Sequence, residues 1–173
     1  MRGSKATAGD LRRQRRRSRH GCWEHLVVAP LWVAYGANLG TLMRTCDAVG
    51  ACMAVPPTDH YRQALDHGDT LGRHFRPHVH WARPGKDDWI ESMRSQGWQI
   101  VAVELAEGAT PLPLLGAALR PTVVLLGHEH SGIPAKWVES ADVCVEIPMI
   151  GGGASLNVAV AGSLVLYRLA GMS

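Results

Sequence analysis

An α/β fold with a mainly parallel sheet and helices on both faces is predicted by three features of the 173-residue sequence. Six short apolar runs recur along the chain: Leu26–Pro30, Ala51–Pro56, Val79–Ala82, Trp98–Leu105, Thr122–Gly127 and Val143–Pro148. Segments with helical spacing lie between and after them. Glycine or proline closes most of these units, and strands alternating with helices imply parallel pairing. No internal repeat or linker divides the chain.

In order, residues 1–21 read as a basic arm ending near Gly21, and residues 22–173 as one domain. After the first strand, Asn38 is a plausible N-cap for a helix with Leu39, Leu42, Met43, Cys46 and Val49 on one face. Gly50 supplies its stop. Pro56–Pro57 ends the second strand. The polar, histidine-rich residues 58–78 read as a loop with one helical turn. A short helix, Asp87–Gly97, is closed by its glycine. A second short helix precedes the sixth strand, with Pro134 in its first turn. The chain is organised around Val143–Leu169, where a strand halts at Pro148 and a turn forms on Gly151, Gly152 and Gly153. Ser155 stands where an N-cap belongs, ahead of the apolar run Leu156–Leu169. A helix apolar all round must be covered on most sides, by the sheet, a partner subunit, or both. Asn157, in its first turn, needs a hydrogen-bond partner.

The chain is 46% apolar, enough for one globular domain with its own core. No apolar run is long enough to span a bilayer, and no hydrophobic segment follows the basic start, so the expectation is a cytoplasmic protein. The four cysteines lack CxxC spacing, so reduced thiols are expected. The histidines follow no ligand spacing, so no metal is expected. Net charge is +3, but residues 1–20 carry eight basic residues against Asp10 alone, leaving a slightly acidic domain. Arg12, Arg13, Arg15, Arg16, Arg17 and Arg19 crowd into eight positions. Such arms bind polyanions through phosphate contacts, and nucleic acid is the partner this arm favours.

Ligands of open parallel sheets gather at the carboxyl ends of the strands. The loops after strands one, four, five and six should therefore share a site: Asn38–Arg44, Glu104, Gly127–Gly132 and Pro148–Asn157. GxxxxGK[ST] is absent, no GxGxxG follows the first strand, and there is no GxSxG. Those absences disfavour a P-loop protein, a dinucleotide-binding fold and a serine hydrolase.

Three clusters do stand together: Asn38-Leu39-Gly40-Thr41-Leu42-Met43-Arg44-Thr45, Gly127-His128-Glu129-His130-Ser131-Gly132-Ile133-Pro134, and Ile147-Pro148-Met149-Ile150-Gly151 leading to Ser155-Leu156-Asn157-Val158. Their order and spacing resemble the SPOUT superfamily of RNA methyltransferases, with the nearest likeness to its TrmH branch of ribose 2′-O-methyltransferases. The likeness runs from about Leu26 to Leu169.

The resemblance implies a C-terminal deep trefoil knot, S-adenosylmethionine as cofactor (S-adenosylhomocysteine as product) and a homodimer with its site near the subunit interface. It assigns the cofactor slot to Leu126, Gly127, Ile147, Met149, Ser155 and Leu156, with Glu104 contributing mainly through backbone. Arg44 takes the catalytic and RNA-contacting position, either as general base or as an electrostatic clamp on the neighbouring phosphate. Asn38 would position substrate or Arg44, Glu129 and Asn157 would hold the motif loops together, and Ser155 would lie at the methyl-transfer site or the knot. Two departures, Ala159 for a small polar residue and Arg168 for an acidic one, are expected to tune packing. The resulting reading is an RNA 2′-O-methyltransferase acting on tRNA, of the D-loop guanosine type, with the basic arm as its accessory RNA grip. Ribosomal RNA is the alternative substrate. A non-catalytic RNA-binding protein that retains the knot, and a nicotinamide-dependent enzyme, are the competing classes.

Overall fold

The computed structural model describes residues 25–68, 77–153 and 155–172. The basic arm, with Arg12, Arg13, Arg15, Arg16, Arg17 and Arg19, lies outside the described residues. The elements run β1 (Leu26–Ala29), α1 (Gly36–Val49), β2 (Cys52–Val55), α2 (Asp59–Gly68), β3 (Val79–Trp81), α3 (Lys86–Ser95), β4 (Gln99–Val103), β5 (Thr110–Pro111), β6 (Thr122–Leu125), α4 (Ala135–Ser140), β7 (Val143–Glu146) and α5 (Val158–Leu169).

These strands form one seven-stranded sheet in the order β3-β2-β1-β6-β4-β7-β5. Every pairing is parallel, with Val27 opposite Cys52 on one side and Val123 on the other. The first three strands step outward in one direction, and β4 then starts the other half of the sheet. Strand β6 fills the gap between the halves, so the switch point of the sheet lies beside β1 and β6.

Alternation along β1 divides the core in two. Leu26 and Val28 join a cluster with Leu39, Leu42, Met43 and Cys46 of α1, Tyr61 and Leu65 of α2, and Val165, Leu166 and Leu169 of α5. Val27 and Ala29 face the opposite cluster, with Trp89 and Ile90 of α3 and Trp137 of α4. Helices thus cover both faces of the sheet, as expected. The apolar face predicted for α1 is buried throughout, and Gly50 ends that helix at φ 76°.

Four local expectations need correction. Residues 59–68 form a full helix, where a loop with one turn was expected. Two apolar side chains four residues apart, Tyr61 and Leu65, anchor that helix to the core, and its many polar residues face water. Asn38 is not the cap of α1: Tyr35 holds the N-cap position, and Asn38 lies in the first turn with its side chain turned to other partners. Ser155 is not the cap of α5 either. Asn157 is, its side-chain oxygen accepting from the Ala159 and Val160 amides at 2.9 and 3.3 Å. Finally, Cys46 and Cys144 are free thiols, but Cys52 is disulfide-bonded. Spacing in the sequence carries no information on which sulfurs the fold brings within bonding distance. The two-residue strand β5 also went unpredicted, being too short for any alternation to register.

Arg168 and Ala159 have packing roles. The Arg168 guanidinium donates to the carbonyls of Leu115 and Pro113 at 2.5 and 2.6 Å, latching α5 to the segment before β6. Ala159 is buried on the inner face of the first turn of the same helix. No helix among the described residues is long and apolar enough to cross a membrane.

Candidate functional site

The loops leaving the carboxyl ends of β4, β6 and β7 enclose a cleft of about 550 Å³. Its lining includes Glu104, Leu126, Gly127, Ile147, Met149, Ser155 and Leu156, all seven residues assigned to a cofactor slot. Val103, Leu105, Val145, Val158 and Ala161 add apolar wall, and His128, Glu129 and His130 stand on the polar side. The volume lies in the usual range for a small-molecule site, and an apolar lining with a few polar groups is what such a ligand needs.

The Gly127–Ile133 loop keeps its shape through contacts that only glycine permits. His128 and Gly132 exchange backbone hydrogen bonds at 3.0 and 2.9 Å, closing the loop on itself. A Cβ at Gly127 would sit 2.2 Å from the Gly132 carbonyl carbon. Gly132 has φ 68°, and a Cβ there would sit 2.3 Å from Glu104 Oε2. That oxygen accepts the Ile133 amide at 3.0 Å, and Oε1 accepts the Leu105 amide at 3.1 Å. The Glu104 carboxylate therefore braces the loop, in addition to anything its backbone offers a ligand.

Glu129 ties this loop to the start of α1. Its Oε2 accepts the Ala34 amide at 2.9 Å, and its Oε1 accepts the Tyr35 amide at 3.1 Å and the Asn38 side-chain amide at 2.7 Å. The Asn38 oxygen in turn accepts from Asn157 Nδ2 at 3.0 Å. Asn38 is 8% exposed, and no buried polar side-chain atom of the described residues lacks a partner. One carboxylate and two amides thus join all three motif segments across separations of 91 and 119 residues. Burial pushes the Glu129 carboxyl up. The donations from the Ala34 amide, its own backbone, Asn38 and Tyr35 outweigh that and hold it below the usual carboxylate range.

Arg44 stands apart. It lies on the exposed side of α1 and does not line the cleft of its own chain. Its neighbour Thr45 meets Ser163 of α5 at 2.7 Å, so this part of α1 packs on α5, a helix that also has an outer face. That face exposes Val160, Leu164 and Tyr167 by 40–47%, while Gly162, Val165 and Leu166 turn inward. The final helix is therefore covered on one side only within a single chain.

Sequence reasoning missed Tyr35, His128 and His130 at the rim. Tyr35 OH lies 3.3 Å from His130 Nε2, and the His128 and His130 rings are 5.7 Å apart. The residues sit inside or beside the recognised motifs, but nothing in their spacing marks them as neighbours. Among the described residues, no group of three or more His, Cys, Asp or Glu side chains is placed to hold a metal ion.

The fold and site define a parallel α/β protein whose ligand cleft is built from loops at the carboxyl end of the sheet, braced by a carboxylate–amide chain. The sequence model of the SpoU rRNA Methylase family matches residues 25–167, and the chain belongs to that family. It is 33% identical over 133 residues to the tRNA (guanosine(18)-2′-O)-methyltransferase of Escherichia coli strain K12, covering 76% of this chain and 56% of that protein. It is also 33% identical over 135 residues to the 23S rRNA (uridine(2479)-2′-O)-methyltransferase of Streptomyces viridochromogenes, covering 76% of this chain and 47% of the relative. Among solved structures, it resembles the AdoMet-bound rRNA methyltransferase from Sinorhizobium meliloti with a TM-score of 0.73 and 31% identity, over 84% of this chain and 55% of that one. The chain thus spans about half the length of these relatives.

Proposed function

We propose that this chain is an S-adenosylmethionine-dependent RNA 2′-O-ribose methyltransferase. The observation that carries the reading is that one cleft is lined by the seven cofactor candidates while Glu129, Asn38 and Asn157 bind its motif loops together. The cofactor combines an apolar aromatic disc with hydroxyl, amine and carboxylate groups, and the residues present fit it. Leu126, Ile147, Met149 and Leu156 would hold the adenine, with the loop backbone at Gly127 and the Ser155 hydroxyl close by. When bound, S-adenosylmethionine supplies the electrophilic methyl group.

The ribose hydroxyl must lose its proton as it is methylated. A guanidinium is a poor proton acceptor, so Arg44 acts as a clamp: it holds the neighbouring phosphate and stabilises the developing alkoxide, while phosphate or water takes the proton. A homodimer formed through the exposed apolar face of α5 would bring Arg44 of one protomer to the site of its partner, since Arg44 is exposed and does not line the cleft of its own chain. The C-terminal deep trefoil knot belongs to the same proposal. It is supported by family membership and by the meeting of the loops after β6 and β7 at one cleft.

The substrate we favour is tRNA with a D-loop guanosine as target, in keeping with the E. coli relative. The Streptomyces relative favours ribosomal RNA as the second reading. The arginines of residues 12–19 are the accessory RNA grip. Deleting residues 1–20 is expected to weaken RNA binding and flatten its salt dependence with cofactor affinity unchanged; an unchanged RNA affinity would remove the arm from the account. Calorimetry with S-adenosylhomocysteine and with NAD tests the cofactor. Binding of the first alone is expected, and failure to bind it contradicts the methyltransferase reading.

A further inference from the structure

We propose that Tyr35, His128 and His130 form a seat for a nucleobase at the mouth of the cleft, which holds the base of the nucleotide being methylated. The proposal rests on the RNA methyltransferase reading and adds to it the element that holds the target base. Tyr35 is 55% exposed although it occupies the N-cap position of α1, where a small polar residue would serve the helix better. Its ring stands edge-on to His130, with centroids 6.3 Å apart and planes at 85°. The His128 ring is tilted against His130 at 48°, with centroids 5.7 Å apart. Two of the three rings line the cleft itself.

The backbone beneath these rings is held by hydrogen bonds. Glu129, between the two histidines, accepts the Tyr35 amide and so fixes that ring's backbone to the histidine loop. The loop is closed by the His128–Gly132 backbone pair, and His128 Nδ1 accepts the His130 amide at 3.1 Å. Tyr35 and His130 are exposed and His128 is half-buried, and none of the three belongs to either core cluster. Their faces suit stacking on a base, and the phenol and imidazole edges can donate to or accept from its polar rim. A base must be held close by if its ribose is to be presented to the cleft, as in enzymes that extrude a nucleotide.

The test compares Tyr35→Ala/His130→Ala with Tyr35→Phe/His130→Phe. His128 is left intact because its ring nitrogen supports the loop. Steady-state methyl transfer to unmodified tRNA and ribosomal-RNA pools is measured alongside affinity for S-adenosylhomocysteine, which reports folding and cofactor binding. The alanine pair is expected to raise the RNA KM by about tenfold or more, well beyond any change in cofactor affinity. The phenylalanine pair, which keeps the ring faces, should remain within about threefold of the parent, since stacking rather than edge bonding dominates such contacts. An unaltered RNA KM in the alanine pair, with cofactor bound and transfer intact, would overturn the seat alone. Absence of both cofactor binding and transfer in the parent protein would overturn the methyltransferase reading and the seat with it.

Discussion

Two parts of the same cleft are built in opposite ways. On one side, Glu129 spreads three accepted hydrogen bonds over Ala34, Tyr35 and Asn38, and Asn157 extends the chain to α5. On the other, the turn at Met149–Gly153 is exposed, and a side chain added at Gly151 or Gly152 would meet nothing within 4 Å. The first part is complete without a ligand, because leaving its polar groups unpaired would cost more than its bonds return in net stability. The second part has its backbone bare, as a surface meant to be covered. The protein fixes one wall of the cleft through hydrogen bonds and leaves the turn on the other wall exposed.

The comparison can be broken in order of expected effect. Arg44 is exposed and outside the cleft, so Arg44→Ala should leave melting and S-adenosylhomocysteine affinity unchanged while methyl transfer falls at least about 100-fold. Transfer near the parent rate would remove Arg44 from the mechanism. Glu129→Ala strips the partner from three donors and should destabilise the fold by about 2 kcal/mol in chemical denaturation. Cofactor affinity should fall with it.

The same carboxylate predicts a pH signature. Its folded pKa is depressed, so its contribution is present above the ordinary glutamate range and is lost as pH falls through the lowered folded value. Acid melts of Glu129→Gln should show a shallower decline over that interval than the parent; parallel curves would mean the carboxylate's charge is not what holds the motif loops together.

Asn157→Ala removes the cap of α5 and the link to Asn38, at about 1 kcal/mol. Asn157→Asp keeps the acceptor for Ala159 and Val160 but cannot donate to Asn38, so its melting point should fall between those of the parent and the alanine variant. Gly151→Ala should change stability least, by less than about 1 kcal/mol in either direction, yet raise the dissociation constant for S-adenosylhomocysteine. A stability loss larger than that of Asn157→Ala would mean the turn is already packed, and the contrast between the two regions would fail.

Much of this was legible in the sequence, and the reasons for the exceptions are physical. The runs that became β1, β2, β4, β6 and β7 are bounded by turn residues and read as strands because parallel strands are buried on both faces. The face of α1 was legible because five apolar residues repeat at helical spacing. Helix α2 was not, since Tyr61 and Leu65 alone carry its apolar signal amid polar neighbours. Capping went wrong at both ends of the site for one reason. Asn38 and Ser155 have suitable side chains three and two residues from the true caps, and tertiary hydrogen bonding decided which was used. The motif order brought Asn38, Glu129 and Asn157 under suspicion, but only the fold shows that Glu129 reaches Asn38, and that Asn38 reaches Asn157. The rim of Tyr35, His128 and His130 depended on a long-range juxtaposition that no local pattern encodes.

The measurement that tests the central claim most directly is methyl transfer from labelled S-adenosylmethionine to separate unmodified tRNA and ribosomal-RNA pools, followed by nucleoside analysis. The account predicts a 2′-O-methylnucleoside, with 2′-O-methylguanosine from the tRNA pool. Label on a base in place of the ribose, or no label in either pool, would contradict it.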